Sequence, residues 1–187
     1  MEPSRIRIYK SLLRNKLRHT VRQIPLPDRL RKSRKAIKNL MRHPYFLKAR
    51  HVLTYMPLAY ELDTRELIRR GLQTEKIFYL PRVDQKTRQL AIVRIRHPKR
   101  NLRRGHYGIL EPHSGSPVSP SILDLVVLPG LGFDKRGARL GMGAGYFDRF
   151  LKKAPRAKRL GMAFRNQVLS HIPTEGHDIP MQGIITD

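Results

Sequence analysis

Cysteine and tryptophan are absent from the 187 residues, and acidic side chains are scarce. Without cysteine there is no disulfide framework, no thiolate metal site and no cysteine nucleophile. That excludes a stapled secreted fold and fits a reducing compartment. No apolar run approaches the ~20 residues that cross a bilayer, and the first 30 residues lack the apolar centre of a secretory signal. The expectation is a cytoplasmic protein without membrane contact. Fourteen Asp and Glu stand against 39 Lys and Arg, a net charge of +25 that asks for an anionic partner. What is present can still build a core: 40% of residues are hydrophobic, with six Phe and seven Tyr. The length suits one domain over residues 1–187, expected as a monomer.

The charge is unevenly placed. Residues 1–50 hold 16 basic and 2 acidic side chains, which supply +14 of the total. Ile8, Leu12, Leu13, Leu17 and Val21 alternate with Arg5, Arg7, Lys10, Arg14, Lys16, Arg18 and Arg22, and most of the apolar positions share one helical face. After the Pro25–Asp28 break, Asp28 is placed to cap a second helix to about Met41, with Leu30, Arg34, Ile37, Leu40 and Met41 at helical spacing. His43-Pro44 ends it. An Arg-rich, acid-poor start also resembles a mitochondrial transit peptide, although removable leaders need no helix punctuation to residue 50. The remaining readings are a solvated basic face, or a face some of whose cations reach an anionic ligand while the rest touch nucleic acid loosely.

From residue 51 the pattern becomes short apolar runs between turn residues. Residues 51–58, 76–83, 90–96, 123–129 and 159–164 read as strands, with 183–186 a further one. Asp63-Thr64-Arg65-Glu66 has capping-box spacing, which predicts a helix from Thr64 to Leu72. The continuous apolar run LDLVVLP suggests a strand covered on both faces. Strand–helix alternation around it predicts a layered α/β/α domain with a mostly parallel central sheet and basic N-terminal helices. Residues 97–122 read as one long connection, and another helix is expected within 140–153 with Phe147, Phe150 and Leu151 inward.

The segment Val127–Leu151, VLPGLGFDKRGARLGMGAGYFDRFL, carries the chemistry. A buried strand runs into a glycine-punctuated turn, where ligands of open α/β sheets bind. Glycines at 137, 141, 143 and 145 let backbone N–H groups approach phosphate oxygens, and a helix follows. Arg139 lies in the loop, and Asp148 stands where a carboxylate could help to hold magnesium. Neither GxxxxGK[ST] nor GxGxxG is satisfied, so the ordinary P-loop and the dinucleotide fingerprint are rejected. A turn without ligand remains the bland alternative. The eight histidines show no metal-ligand spacing.

Taken whole, this segment resembles the signature of the 5-formyltetrahydrofolate cyclo-ligase family, PGxxFDxxGxRLGxGxGYYDxxL. Pro129, Gly130, Phe133, Asp134, Gly137, Arg139, Leu140, Gly141, Gly143, Gly145, Tyr146, Asp148 and Leu151 match in register, while Phe147 replaces the second tyrosine. The resemblance extends to Lys10-Ser11-Leu12-Leu13-Arg14, Glu61-Leu62-Asp63-Thr64, residues 76–82, Gly108–Pro112, Gly161–Phe164 with Gln167, and His177-Asp178. Leu90 stands where many members have Met.

The resemblance implies an ATP-dependent ligase that converts 5-formyltetrahydrofolate to 5,10-methenyltetrahydrofolate with release of ADP and phosphate. It assigns ATP to Lys10, Arg14 and the 137–148 loop, through Gly137, Arg139, Leu140, Gly141, Met142, Gly143, Ala144, Gly145 and Tyr146. The folate falls to Met56, Glu61, Tyr107 and Tyr146, and Mg2+ to Asp148 and Asp178. Arg139 and Tyr146 are the implied catalytic pair. The competing reading is a non-catalytic RNA-binding protein on the same fold. A combined one has the basic surface attract polyglutamylated folate.

Overall fold

The computed structural model describes residues 3–84, 86–87, 89–97, 100–105 and 108–187. The chain opens with α1 (Pro3–Arg22), α2 (Leu26–Arg42) and α3 (Pro44–Lys48), followed by β1 (His51–Leu53), α4 (Arg65–Gly71), β2 (Ile77–Asp84) and β3 (Gln89–Ile95). Short strands β4 (Leu102–Arg104), β5 (Leu110–Pro112) and β6 (Pro117–Val118) come next, then β7 (Leu125–Pro129), β8 (Gly132–Asp134) and β9 (Arg139–Leu140). The last elements are α5 (Tyr146–Leu151), β10 (Lys158–Met162), β11 (Val168–Leu169) and β12 (Gly183–Ile185).

Seven strands form the main sheet in the order β12-β10-β7-β1-β2-β3-β6. The five from β12 to β2 pair in parallel, and β3 and β6 add an antiparallel edge. Leu125, Val126, Val127 and Leu128 are all fully buried because side chains alternate between two covered faces. On one face Leu125, Val127, Val52 and Phe78 pack with Ala36, Ile37 and Leu40 of α2, Phe46 of α3, and Leu67 and Ile68 of α4. On the other, Val126, Leu128, Leu53 and Tyr79 pack with Phe150 and Leu151 of α5. This is the mixed α/β architecture with a largely parallel sheet that the sequence pattern predicts.

Several local expectations are corrected. The first strand stops at Leu53 rather than continuing to Leu58, and Tyr55, Met56, Leu58 and Glu61 beyond it line a cavity. Asp28 does not cap α2; Pro25 is the N-cap, and Asp28 sits in the first turn beside Arg31 at 2.9 Å. Thr64 precedes α4 without capping it, because its hydroxyl donates to the Tyr55 carbonyl at 2.5 Å. Asp63 accepts the Arg65 N–H instead, at 3.0 Å. The stretch 97–122 is no bare connection: β4 and β5 pair as a hairpin and β6 joins the sheet edge. In α1, Ile8 and Leu12 are 63% and 64% exposed, while Lys10 is buried with Leu17 and Val21.

Candidate active site

The carboxyl ends of β1 and β7 open onto a cleft of about 520 Å³, which is where an open parallel sheet presents ligands. Three structural devices bring its walls together.

The first is the β8–β9 hairpin. The Asp134 carboxylate, fully buried, accepts N–H bonds from Arg136 (2.9 Å) and Ala138 (3.0 Å) on one oxygen and from Ile172 (2.8 Å) on the other. This ties the hairpin to the C-terminal tail and aims β9 at the cleft. Gly137 belongs to this support rather than to the cleft wall. A Cβ there would lie 2.3 Å from the Met181 carbonyl oxygen, and the residue does not line the cavity.

The second is the glycine loop. Gly141, Met142, Gly143, Ala144 and Gly145 all line the cleft, as do Leu140 and Tyr146. Gly143 has φ 106° and Gly145 φ 66°, conformations that an L side chain resists. The loop is held by Arg14, whose Nε donates to the Gly141 carbonyl at 2.9 Å. Burial and the neighbouring Arg18 lower the Arg14 guanidinium from its ordinary value.

The third is the contact between α1 and the C-terminal tail. Lys10 Nζ lies 3.0 Å from Glu175 Oε2 and 2.6 Å from Asp178 Oδ2, with only 6% of its side chain exposed. Asp178 Oδ2 also takes the Glu175 backbone N–H at 2.8 Å. Burial alone would raise the Asp178 carboxyl, but the Lys10 bond and that N–H outweigh it and hold the group below its ordinary value. Glu175 is lowered chiefly by its bond to Lys10.

Arg139 and Asp148 form a second ion pair at 2.9 Å, and the Arg139 guanidinium lies 5.6 Å from the Phe147 ring centre. Arg139 lines the cleft, and its Nε is buried without a hydrogen-bond partner among the described residues. At the opposite wall, Glu61 Oε2 accepts the Leu58 N–H at 2.9 Å. Burial pushes the Glu61 carboxyl up to about 7, with the Leu58 bond opposing. Met56 is buried beside it.

The structure therefore brings Lys10, Arg14, Met56, Glu61, residues 139–146, Asp148 and Asp178 around one cavity. Tyr107 lies outside the described residues. Among the charged and histidine residues of the lining, sequence reasoning did not assign Arg7, Glu111, Glu175 and His177 to the site. Arg7 approaches Glu175 at 3.5 Å, and Glu111, buried, accepts the Val83 N–H at 3.2 Å. The signal available for Glu175 was its place three residues before Asp178. Arg7, one turn before Lys10, offered an equally local cue.

As a metal site the cleft offers hard oxygen donors in Asp148 and Asp178. Among the described residues no group of three His, Cys, Asp or Glu side chains is disposed to hold an ion alone. One or two carboxylates suffice for magnesium that keeps water and phosphate ligands. Among the described residues Asp148 Oδ1 receives only a 3.4 Å contact from the Ile179 N–H, and Asp178 Oδ1 only His177 at 3.8 Å. One oxygen on each is thus lightly engaged, and the pair fits such a role.

Known proteins share this sequence pattern and fold. The model of the 5-formyltetrahydrofolate cyclo-ligase family matches residues 7–187. The chain is 28% identical to the 5-formyltetrahydrofolate cyclo-ligase of Mus musculus, covering 92% of this chain and 91% of that one. It is 32% identical to the Escherichia coli K12 enzyme of the same name over 81% and 85% of the two chains. The solution structure of Aquifex aeolicus 5,10-methenyltetrahydrofolate synthetase superposes with a TM-score of 0.83 at 36% identity, covering 94% of this chain and 88% of that one.

Proposed function

The chain belongs to the 5-formyltetrahydrofolate cyclo-ligase family, and from that premise we propose that it closes 5-formyltetrahydrofolate to 5,10-methenyltetrahydrofolate while ATP becomes ADP and phosphate. The observation that carries this reading is the single cleft shared by Lys10, Arg14, Arg139, the 141–145 glycine loop and Glu61. Cations and backbone donors suit a triphosphate on one wall, and a carboxylate suits the paired N–H donors of an aminopyrimidine on the other.

In the proposed reaction the formyl oxygen attacks the γ-phosphorus, and the bond from that phosphorus to ADP breaks. N10 then attacks the activated carbon and loses its proton. The carbon–oxygen bond to phosphate breaks last, leaving the conjugated methenyl cation. Little covalent work falls to the protein, whose task is to position and neutralise. The Arg139 guanidinium, with Lys10 and Arg14, offsets the phosphate charge, and the glycine loop lets backbone donors approach. Glu61 orients the pterin, Met56 packs against it, Tyr146 orients the formyl group, and Tyr107 is assigned to stacking on the heterocycle. Asp148 and Asp178 would hold magnesium, which supplies charge neutralisation at the phosphates when bound. Each carboxylate would hold it while paired with a cation, Asp148 with Arg139 and Asp178 with Lys10.

The cysteine-free composition supports a reducing cytoplasmic setting, and the cationic surface supports attraction of polyglutamylated folate. The purified protein should produce the methenyl chromophore from 5-formyltetrahydrofolate only when MgATP is present. Absence of turnover at high enzyme concentration would overturn the assignment.

A further inference from the structure

The outer face of α2 takes no part in the cleft. Its inner face is anchored by buried Ser33, Ala36, Ile37 and Leu40. Its flanks are tied to the C-terminus, where Lys32 meets Asp187 at 2.6 Å and the Asn39 amide donates to the Thr186 carbonyl at 2.9 Å. What remains outward is a row of exposed cations: Arg31, Arg34, Lys35, Lys38 and Arg42. Only Arg31 meets a carboxylate among the described residues, Asp28 at 2.9 Å.

The row is arranged at a cost to its own helix. Arg31 and Lys35, Arg34 and Lys38, and Lys38 and Arg42 are like charges four residues apart, and such neighbours repel. Neutralising that repulsion requires anions repeated along the same line. The five residues span about 17 Å of a rigid rod, over which a nucleic-acid duplex presents about ten phosphates.

We propose that this face of α2 binds the phosphate backbone of a nucleic-acid duplex. No aromatic side chain interrupts residues 31–42, so stacking on unpaired bases is not offered, and contact is with phosphates rather than base edges. A lipid surface fits less well, because a helix lying in a bilayer interface must turn its apolar face to the acyl chains, and that face of α2 is buried in the core. The inference is independent of the catalytic reading, since none of the five residues lines the cleft.

The test measures anisotropy of labelled 20-base-pair RNA and DNA duplexes with the full chain between 50 and 200 mM KCl. Four phosphate contacts predict affinity falling about a hundredfold across that range. The variant R34Q/K35Q/K38Q/R42Q should flatten the salt dependence while retaining wild-type turnover and circular dichroism. A control, R94Q/R96Q/R103Q/R104Q, removes the same formal charge from the exposed arginines of β3–β4 and should bind duplex like wild type. Equal losses in both variants would overturn the α2 assignment by reducing it to net charge. Failure of the wild type to bind either duplex at 50 mM salt, or binding to phosphatidylserine vesicles with none to duplex, would overturn it as well. Turnover is read separately, so failure here leaves the ligase reading standing.

Discussion

Lys10 links fold and chemistry in one side chain: it is buried, it clamps α1 to the tail through Glu175 and Asp178, and it faces the cleft. Lys10→Met should abolish turnover and lower stability by about 2–3 kcal/mol in urea titrations, because two partly buried carboxylates lose their shared cation. Adding Glu175→Gln should recover part of that stability and no activity; recovery of activity would remove Lys10 from the nucleotide. Glu61 gives a pH signature. Its carboxyl is raised to about 7 from an ordinary 4.5, so its ionisation opposes folding. Stability should therefore decline as pH rises between those values, and Glu61→Gln should remove that decline. Substrate binding runs the other way, since the pterin needs the ionised acceptor. The folate KM should climb as pH falls below 7 in the wild type and stay level in Glu61→Gln. Both residues were legible in the sequence through the family resemblance, but their partners were not. Nothing along the chain announces that Glu175, 165 residues from Lys10, closes onto it.

At the scale of elements, the reading succeeded where one physical signal dominated. Leu125–Leu128 has four consecutive apolar residues and is the doubly covered strand that pattern demands. It failed where composition pointed one way and long-range pairing another. The β4–β5 hairpin lies in a stretch whose Pro, Gly and Ser content speaks for loop, yet its register is set by Leu102 opposite Pro112 and Arg104 opposite Leu110. Periodicity in α1 put most of its apolar positions on one helical face, and Leu17 and Val21 are buried there, but it did not show that Lys10 is buried too, against the tail, or that Ile8 and Leu12 face out. The glycine loop shows the same division. Its residues were evident from the string, whereas its distinction from Gly137 depends on the Met181 carbonyl packed against that position. Gly143→Ala tests the loop itself. At φ 106° a Cβ should cost about 1–2 kcal/mol, and it would stand 3.5 Å from the Arg14 guanidinium carbon. The expected result is a small loss of thermal stability with a several-fold higher KM for ATP and little change in the KM for folate. An equal rise in both would place the loop against the folate instead.

For the whole molecule, the +25 charge is a burden on the folded state as well as an attraction for ligands. Of the 16 basic residues in the first 50, four meet a carboxylate among the described residues: Arg7, Lys10, Arg31 and Lys32. All the others but Lys48 and Arg50 crowd two helices whose apolar attachment runs through Ala36, Ile37 and Leu40 for α2 and through Leu17 and Val21 for α1. Salt acts on the two kinds of interaction in opposite senses. It leaves the apolar contacts intact or stronger and shortens the reach of repulsion, from about 10 Å at 0.1 M to about 3 Å at 1 M. It also weakens exposed ion pairs such as Arg69–Glu66, which contribute little at any salt concentration. The buried Lys10 and Arg139 pairs are screened less. Repulsion among unpaired cations is therefore the larger salt-sensitive quantity, and the melting temperature should rise by about 3 °C or more from 0.1 to 1 M KCl, equivalent to roughly 1 kcal/mol for a chain of this size. KCl is the right salt for this measurement, because sulfate or phosphate would also occupy the cleft. A melting temperature that falls with KCl would mean that the paired carboxylates, few as they are, govern stability, and that the basic helices are held by charge rather than by their apolar faces.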